Sequence, residues 1–112
     1  MTPTFQTRFG AKRGNCMQAA TASFLDVPID TVPDFGQRGG WGAMREFFRG
    51  YGYVLEERKV DFEPPGYYFV VGVSTQLHEH IVVYQMGRLV HDPNPQGRGL
   101  IMRRFVLWPR PS

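Results

Sequence analysis

A chain of 112 residues with 42% apolar side chains and a net charge of +3 carries enough hydrophobic material to fold, which excludes a disordered tail. A chain this size buries roughly two thirds of the surface it exposes when unfolded, enough for one core and not two, so residues 1–112 are expected to form a single domain. The longest apolar runs, Tyr67 to Val73 and Ile81 to Tyr84, fall short of the roughly 20 residues that span a bilayer, and Met1 to Gly10 lacks the apolar stretch of an export signal. No membrane association and a cytoplasmic location are therefore expected. The basic residues are scattered, and the densest spot, Arg103-Arg104, is flanked by apolar residues, so nucleic-acid binding is permitted but not indicated.

Thr2 to Gly14 is polar and broken by Pro3, Gly10 and Gly14. The next stretch, from Cys16 to Leu25, predicts a helix: Asn15 suits the N-cap, the alanines supply propensity, and Met17, Ala20 and Phe24 share one face. Asp26-Val27-Pro28 ends it, because a residue before proline avoids helical geometry. After a short turn at Ile29 to Phe35 and a glycine-rich loop at Gly36 to Gly42, a second helix is predicted over Trp41 to Tyr51, with Trp41, Met44, Phe48 and Tyr51 as its apolar stripe.

From Tyr53 the pattern changes to strands separated by turn residues: Tyr53 to Val60, Tyr67 to Val73, Glu79 to Gln85, Arg88 to His91 and Ile101 to Trp108. Met86-Gly87 reads as a tight turn, and Asp92-Pro93-Asn94-Pro95 must leave the sheet.

One cysteine, Cys16, excludes an internal disulfide. At the first turn of a helix its sulfur would meet unpaired backbone N–H groups and the positive end of the helix dipole, which favour the nucleophilic thiolate. If the hairpin pivots on Met86, His80 faces Asp92 across the strand pair, so the carboxylate fixes the imidazole tautomer and leaves the other nitrogen for a thiol proton. A shift of one residue would put His91 in place of Asp92. The Cys16 amide N–H is one oxyanion donor, and the Gln6 side chain is the preferred second. A competing reading takes His78 and His80, two apart on a strand, as metal ligands with Glu79, His91 or Cys16 nearby.

Gln6, the helix start Gly14-Asn15-Cys16-Met17-Gln18-Ala19-Ala20, then Glu79-His80-Ile81-Val82-Val83, then Val90-His91-Asp92-Pro93 together resemble the papain-like cysteine peptidase superfamily, in the region of its bacteriocin-processing and transglutaminase-like groups. The chain also resembles short phage and bacterial proteins with a Gly-Asp/Asn-Cys helix start. The resemblance implies a minimal papain-like α+β fold, an N-terminal helix bearing Cys16 packed on an antiparallel sheet carrying His80 and Asp92. It also implies a thiol-dependent hydrolase or acyl-transferase acting on a peptide or side-chain amide: Cys16 as nucleophile, His80 as base, Asp92 as its orienter and Gln6 in the oxyanion hole. That chemistry needs no metal or organic cofactor, and its partner is a peptide or protein substrate. The alternative is a catalytically inactive, peptidase-like binding module acting through protein–protein contacts, with Trp41, Tyr67, Tyr68 and Trp108 as candidate contacts. Oligomeric state is not legible in the sequence.

Overall fold

The computed structural model describes residues 1–10 and 12–112. Two α-helices, α1 (Cys16–Leu25) and α2 (Gly40–Gly50), precede five strands: β1 (Tyr53–Arg58), β2 (Tyr67–Ser74), β3 (Glu79–Gln85), β4 (Arg88–His91) and β5 (Leu100–Pro111). All pairings are antiparallel and the sheet order is β1-β5-β2-β3-β4. The architecture is α+β, two helices packed on a five-stranded antiparallel sheet.

The main core forms where α1 and α2 meet one face of the sheet: Ala20, Ala22, Met44 and Phe48 pack on Phe69, Val71, Ile81, Val83 and Leu107. Edge-to-face contacts of Phe24 and Phe48 with Tyr53 fill its centre. Tyr68, Val70, Val82 and Val106 form a smaller cluster of their own, so β2 and β3 read as nearly continuous apolar runs rather than alternating ones. Tyr51, expected in the stripe of α2, is instead exposed, because the helix ends at Gly50 and Phe47 leans on Tyr51 from outside the core.

Helix α1 is buried more widely than an apolar stripe requires, with Thr21 and Ser23 fully covered. The N-terminal segment lies against it: Ser23 Oγ accepts from the Thr4 amide and donates to the Ala19 carbonyl at 2.8 Å, so Ser23 is satisfied under cover, whereas the buried Thr21 hydroxyl has no partner. Tyr68 is buried, Trp108 packs on Phe62, and Trp41 stands edge-on to Phe105, so these aromatics serve internal packing rather than one surface patch.

The last strand is longer than predicted. It lies between β1 and β2, and Pro109 and Pro111 fall beyond Leu107, the last residue paired with β2, where β5 has a neighbour on one side only and a missing N–H leaves no ladder bond unmade. Between Val71 and Gly72 the β2–β5 register shifts, and a Cβ at Gly72 would run into the Met102 carbonyl. This glycine lets the β5 backbone cross close to the residue paired with His80.

Candidate functional site

The β3–β4 hairpin fixes where the candidate acid–base pair stands, and it differs from the simple count. Met86 (φ 53°) and Gly87 (φ 74°) form a two-residue turn with both φ angles positive, so Gln85 pairs with Arg88 and the hairpin does not pivot on Met86 alone. A bulge between Val83 and Tyr84 then brings His91 opposite Val83. Strand β4 ends at His91, so Asp92 is not a cross-strand partner on the sheet; His80 pairs instead with Gly72 of β2.

Asp92 nonetheless reaches His80 from the loop beyond β4. His80 Nε2 donates to Asp92 Oδ1 at 2.6 Å, and both side chains are under 8% exposed, at 4% and 7%. The same carboxylate organises the loop: Oδ1 accepts from the Asn94 amide and Oδ2 from the Gly99 amide, each at 2.9 Å. Gly97 lies against this carboxylate so closely that a Cβ there would displace it. His91 is committed elsewhere, its Nε2 donating to the Thr4 carbonyl at 2.7 Å with Phe5 edge-on to the ring.

With Nε2 on Asp92, Nδ1 is the nitrogen left for the Cys16 thiol, which stands close enough to bias the ring. Burial disfavours an imidazolium. The Asp92 hydrogen bond, the Cys16 thiol and the electrostatic pull of both outweigh it and push His80 from 6.5 up to about 9. Burial likewise pushes the Asp92 carboxyl up, but the hydrogen bond and charge of His80 and the amides of Asn94 and Gly99 more than reverse this and hold it below its ordinary 3.8.

Cys16 opens α1, so its own amide and those of Met17 and Gln18 have no acceptor within the helix. Asn15, expected to cap these amides, does not. Its Oδ1 accepts from the Thr7 and Arg8 amides at 2.9 and 2.8 Å, while Nδ2 donates to Thr7 Oγ1 and Gln18 Oε1. The two neighbouring amides of the N-terminal segment outcompete the helix for one carbonyl oxygen. This clasp is what brings Gln6 to the site despite the ten positions separating it from Cys16. Gln6 is buried beside the cleft, but its Nε2 donates to the Arg8 carbonyl at 2.9 Å and its buried Oε1 has no partner.

Asn15→Leu takes the acceptor from the part-buried Thr7 and Arg8 amide bonds. It is expected to cost about 2 kcal/mol in urea unfolding, at about 1 kcal/mol for each lost hydrogen bond. Asn15→Asp keeps the accepting oxygen and should cost less; equal losses in the two variants would mean that the clasp does not depend on Oδ1.

Cys16, His80 and Gln6 line one cleft of about 280 Å³, walled by Met17, Trp41 and Ile81 and by the backbones of Gly10, Gly14, Gly36 and Gly40. Asp92 sits behind His80, in a small adjoining cavity that Gln6 and His80 also line. Sequence reasoning missed the clasp; an Asn directly before the cysteine with Gln three positions on was the available signal. His78 is half-buried and lines the cleft beside His80, but its ring nitrogens meet the Glu79 carbonyl and Gln76 Oε1. Among the described residues no three metal-ligating side chains gather, and no helix is long and apolar enough to cross a membrane.

Neither protein-family models, curated proteins nor solved structures give a match to this chain. The reading of the site therefore rests on its geometry alone.

Proposed function

We propose that this chain is a thiol-dependent hydrolase or acyl-transferase of minimal papain-like design, acting on a peptide or side-chain amide. One observation carries the reading. A buried imidazole is clamped to a buried carboxylate at 2.6 Å through Nε2, and it lines the same open cleft as a cysteine at a helix start.

In this mechanism Cys16 Sγ attacks the amide carbon while His80 is imidazolium. The oxyanion faces the Cys16 amide, and the tetrahedral adduct collapses as His80 passes its proton to the leaving amine. The C–N bond breaks and a thioester remains. Water or an acceptor amine, deprotonated by His80, then attacks the thioester and releases the thiolate, restoring the imidazolium. Asp92 touches neither substrate nor sulfur; it is a positioning residue that holds the ring and stabilises its charge.

A catalytically inactive binding module is the second reading. It is favoured by Gln6, one of whose two side-chain N–H donors is held by the Arg8 carbonyl. Incubation with a proteome-derived peptide pool, read by mass spectrometry, separates the two. New peptide termini or amide-exchange products that vanish with Cys16→Ala are expected; products that persist in Cys16→Ala, or none from either protein, would overturn the enzymatic reading.

A further inference from the structure

Beside the cleft lies a second groove of about 480 Å³, lined by Arg8, Arg13, Pro33, Asp34, Gln37 and Arg38. Gln37 lines both, so the two concavities are neighbours separated by one side chain. The groove is walled by two loops that hold each other: Gln37 Nε2 donates to the Lys12 carbonyl, Arg38 N donates to the Asp34 carbonyl, and the Arg8 guanidinium pairs with Asp34.

The charge of this groove is unbalanced. Asp34 is its one carboxylate; its Oδ2 is taken by Arg8 and its Oδ1 is buried without a donor. Arg13 and Arg38 have no carboxylate partner among the described residues, as is also the case for Arg88, Arg98, Arg103 and Arg104; what sets the groove apart is that three arginines share it with a single carboxylate. All three cations of the groove are arginines, whose planar forks match a carboxylate in two parallel hydrogen bonds.

We propose that this groove is a specificity subsite that takes acidic side chains of a peptide whose scissile or acceptor amide lies at Cys16. The inference rests on the reading of Cys16 as the nucleophile and adds to it the class of substrate. A peptide fits better than a nucleic acid. Nucleic-acid affinity is built from an extended track of phosphate contacts, whereas this groove offers three arginines beside a narrow cleft with a largely apolar wall.

Two chloroacetyl-capped peptides test it, one carrying Asp and Glu and the other Asn and Gln at the same positions. In each, the Cys16 sulfur displaces chloride and the adduct is counted by intact mass. The acidic probe is expected to label Cys16 about tenfold faster than the neutral one at low salt, the size of two favourable exposed ion pairs, and to lose that advantage as salt screens it. Arg13→Gln with Arg38→Gln should bring the ratio to about one, with iodoacetamide labelling and the unfolding midpoint unchanged. Fast iodoacetamide labelling with no preference between the probes would overturn the subsite alone; slow iodoacetamide labelling would overturn the reading of Cys16 beneath it. Protection of Cys16 by a single-stranded oligonucleotide at concentrations where the acidic peptide without its chloroacetyl cap gives none would replace the peptide by a nucleic acid.

Discussion

Iodoacetamide should alkylate Cys16 quickly at pH 6.5, and His80→Ala should slow that reaction by between about ten- and a hundredfold. An ordinary thiol is only about 1% thiolate two pH units below its usual 8.5, and alkylation follows the thiolate. Below about pH 9 His80 is an imidazolium, and it lines the same cleft as the sulfur, where its positive charge stabilises negative charge developing on the attacking atom. Removing the ring removes that bias and leaves only the start of α1 to act on the sulfur. Rates at several pH values, with intact mass to confirm one adduct per chain, give the profile directly. Superimposable profiles for the two proteins would make Cys16 a packing residue, and the hydrolase reading would fall with it. Asp92→Asn should fall between them, since the amide can still hold the ring but no longer stabilises its charge.

Asp92→Asn should also lower stability by about 3 kcal/mol near pH 6, because it leaves a buried imidazolium without its counter-charge. The penalty should shrink as the solution is acidified. The Asp92 carboxyl is held below its unfolded value of 3.8, so its contribution is fully present above that pH and is lost as pH falls through the lower folded value. His80 has the opposite sign. Its value is raised from 6.5 to about 9, so its contribution is complete below 6.5 and disappears as pH rises through about 9. On that alkaline side the thiol of the unfolded chain titrates as well, so the acid limb is the cleaner measure. Urea midpoints for both proteins between pH 3 and 6 provide it. A difference that stays constant across the interval would show that the side chains meet only through shape.

The elements were legible where local signals agreed. The helix from Cys16 to Leu25 came from its alanines and the proline that closes it, and the β2 and β3 strands from unbroken β-branched runs. What local reading missed depends on partners distant in the chain. Asn15 is an apt cap by type, and nothing nearby reveals that Thr7 and Arg8 claim its oxygen. The count that placed Asp92 opposite His80 erred because a turn with two positive φ angles and a bulge at Val83 are backbone events with faint residue signatures. Asp92 hydrogen-bonds His80 by another route, since an Asp that bonds the amides of Asn94 and Gly99 is held at the hairpin's foot whatever the ladder does. The length of β5 escaped notice because Pro109 and Pro111 argue against a strand until it is known that they border only β1.

The central position of β5 governs the order in which the molecule can be assembled. Strands β2, β3 and β4 are consecutive and can zip together as a meander as soon as they exist, carrying His80 and then Asp92 into register beside α1. Strand β1 has no such neighbour: its ladder is made solely with residues 106–111, about fifty positions later, so during synthesis it waits as an unpaired edge beneath α2. The half that carries His80 and Asp92 is thus a locally encoded unit and the β1–α2 half a late-arriving one. A ribosome-bound chain halted before Leu100 should already protect the amides of β2 and β3 from exchange while those of β1 remain open.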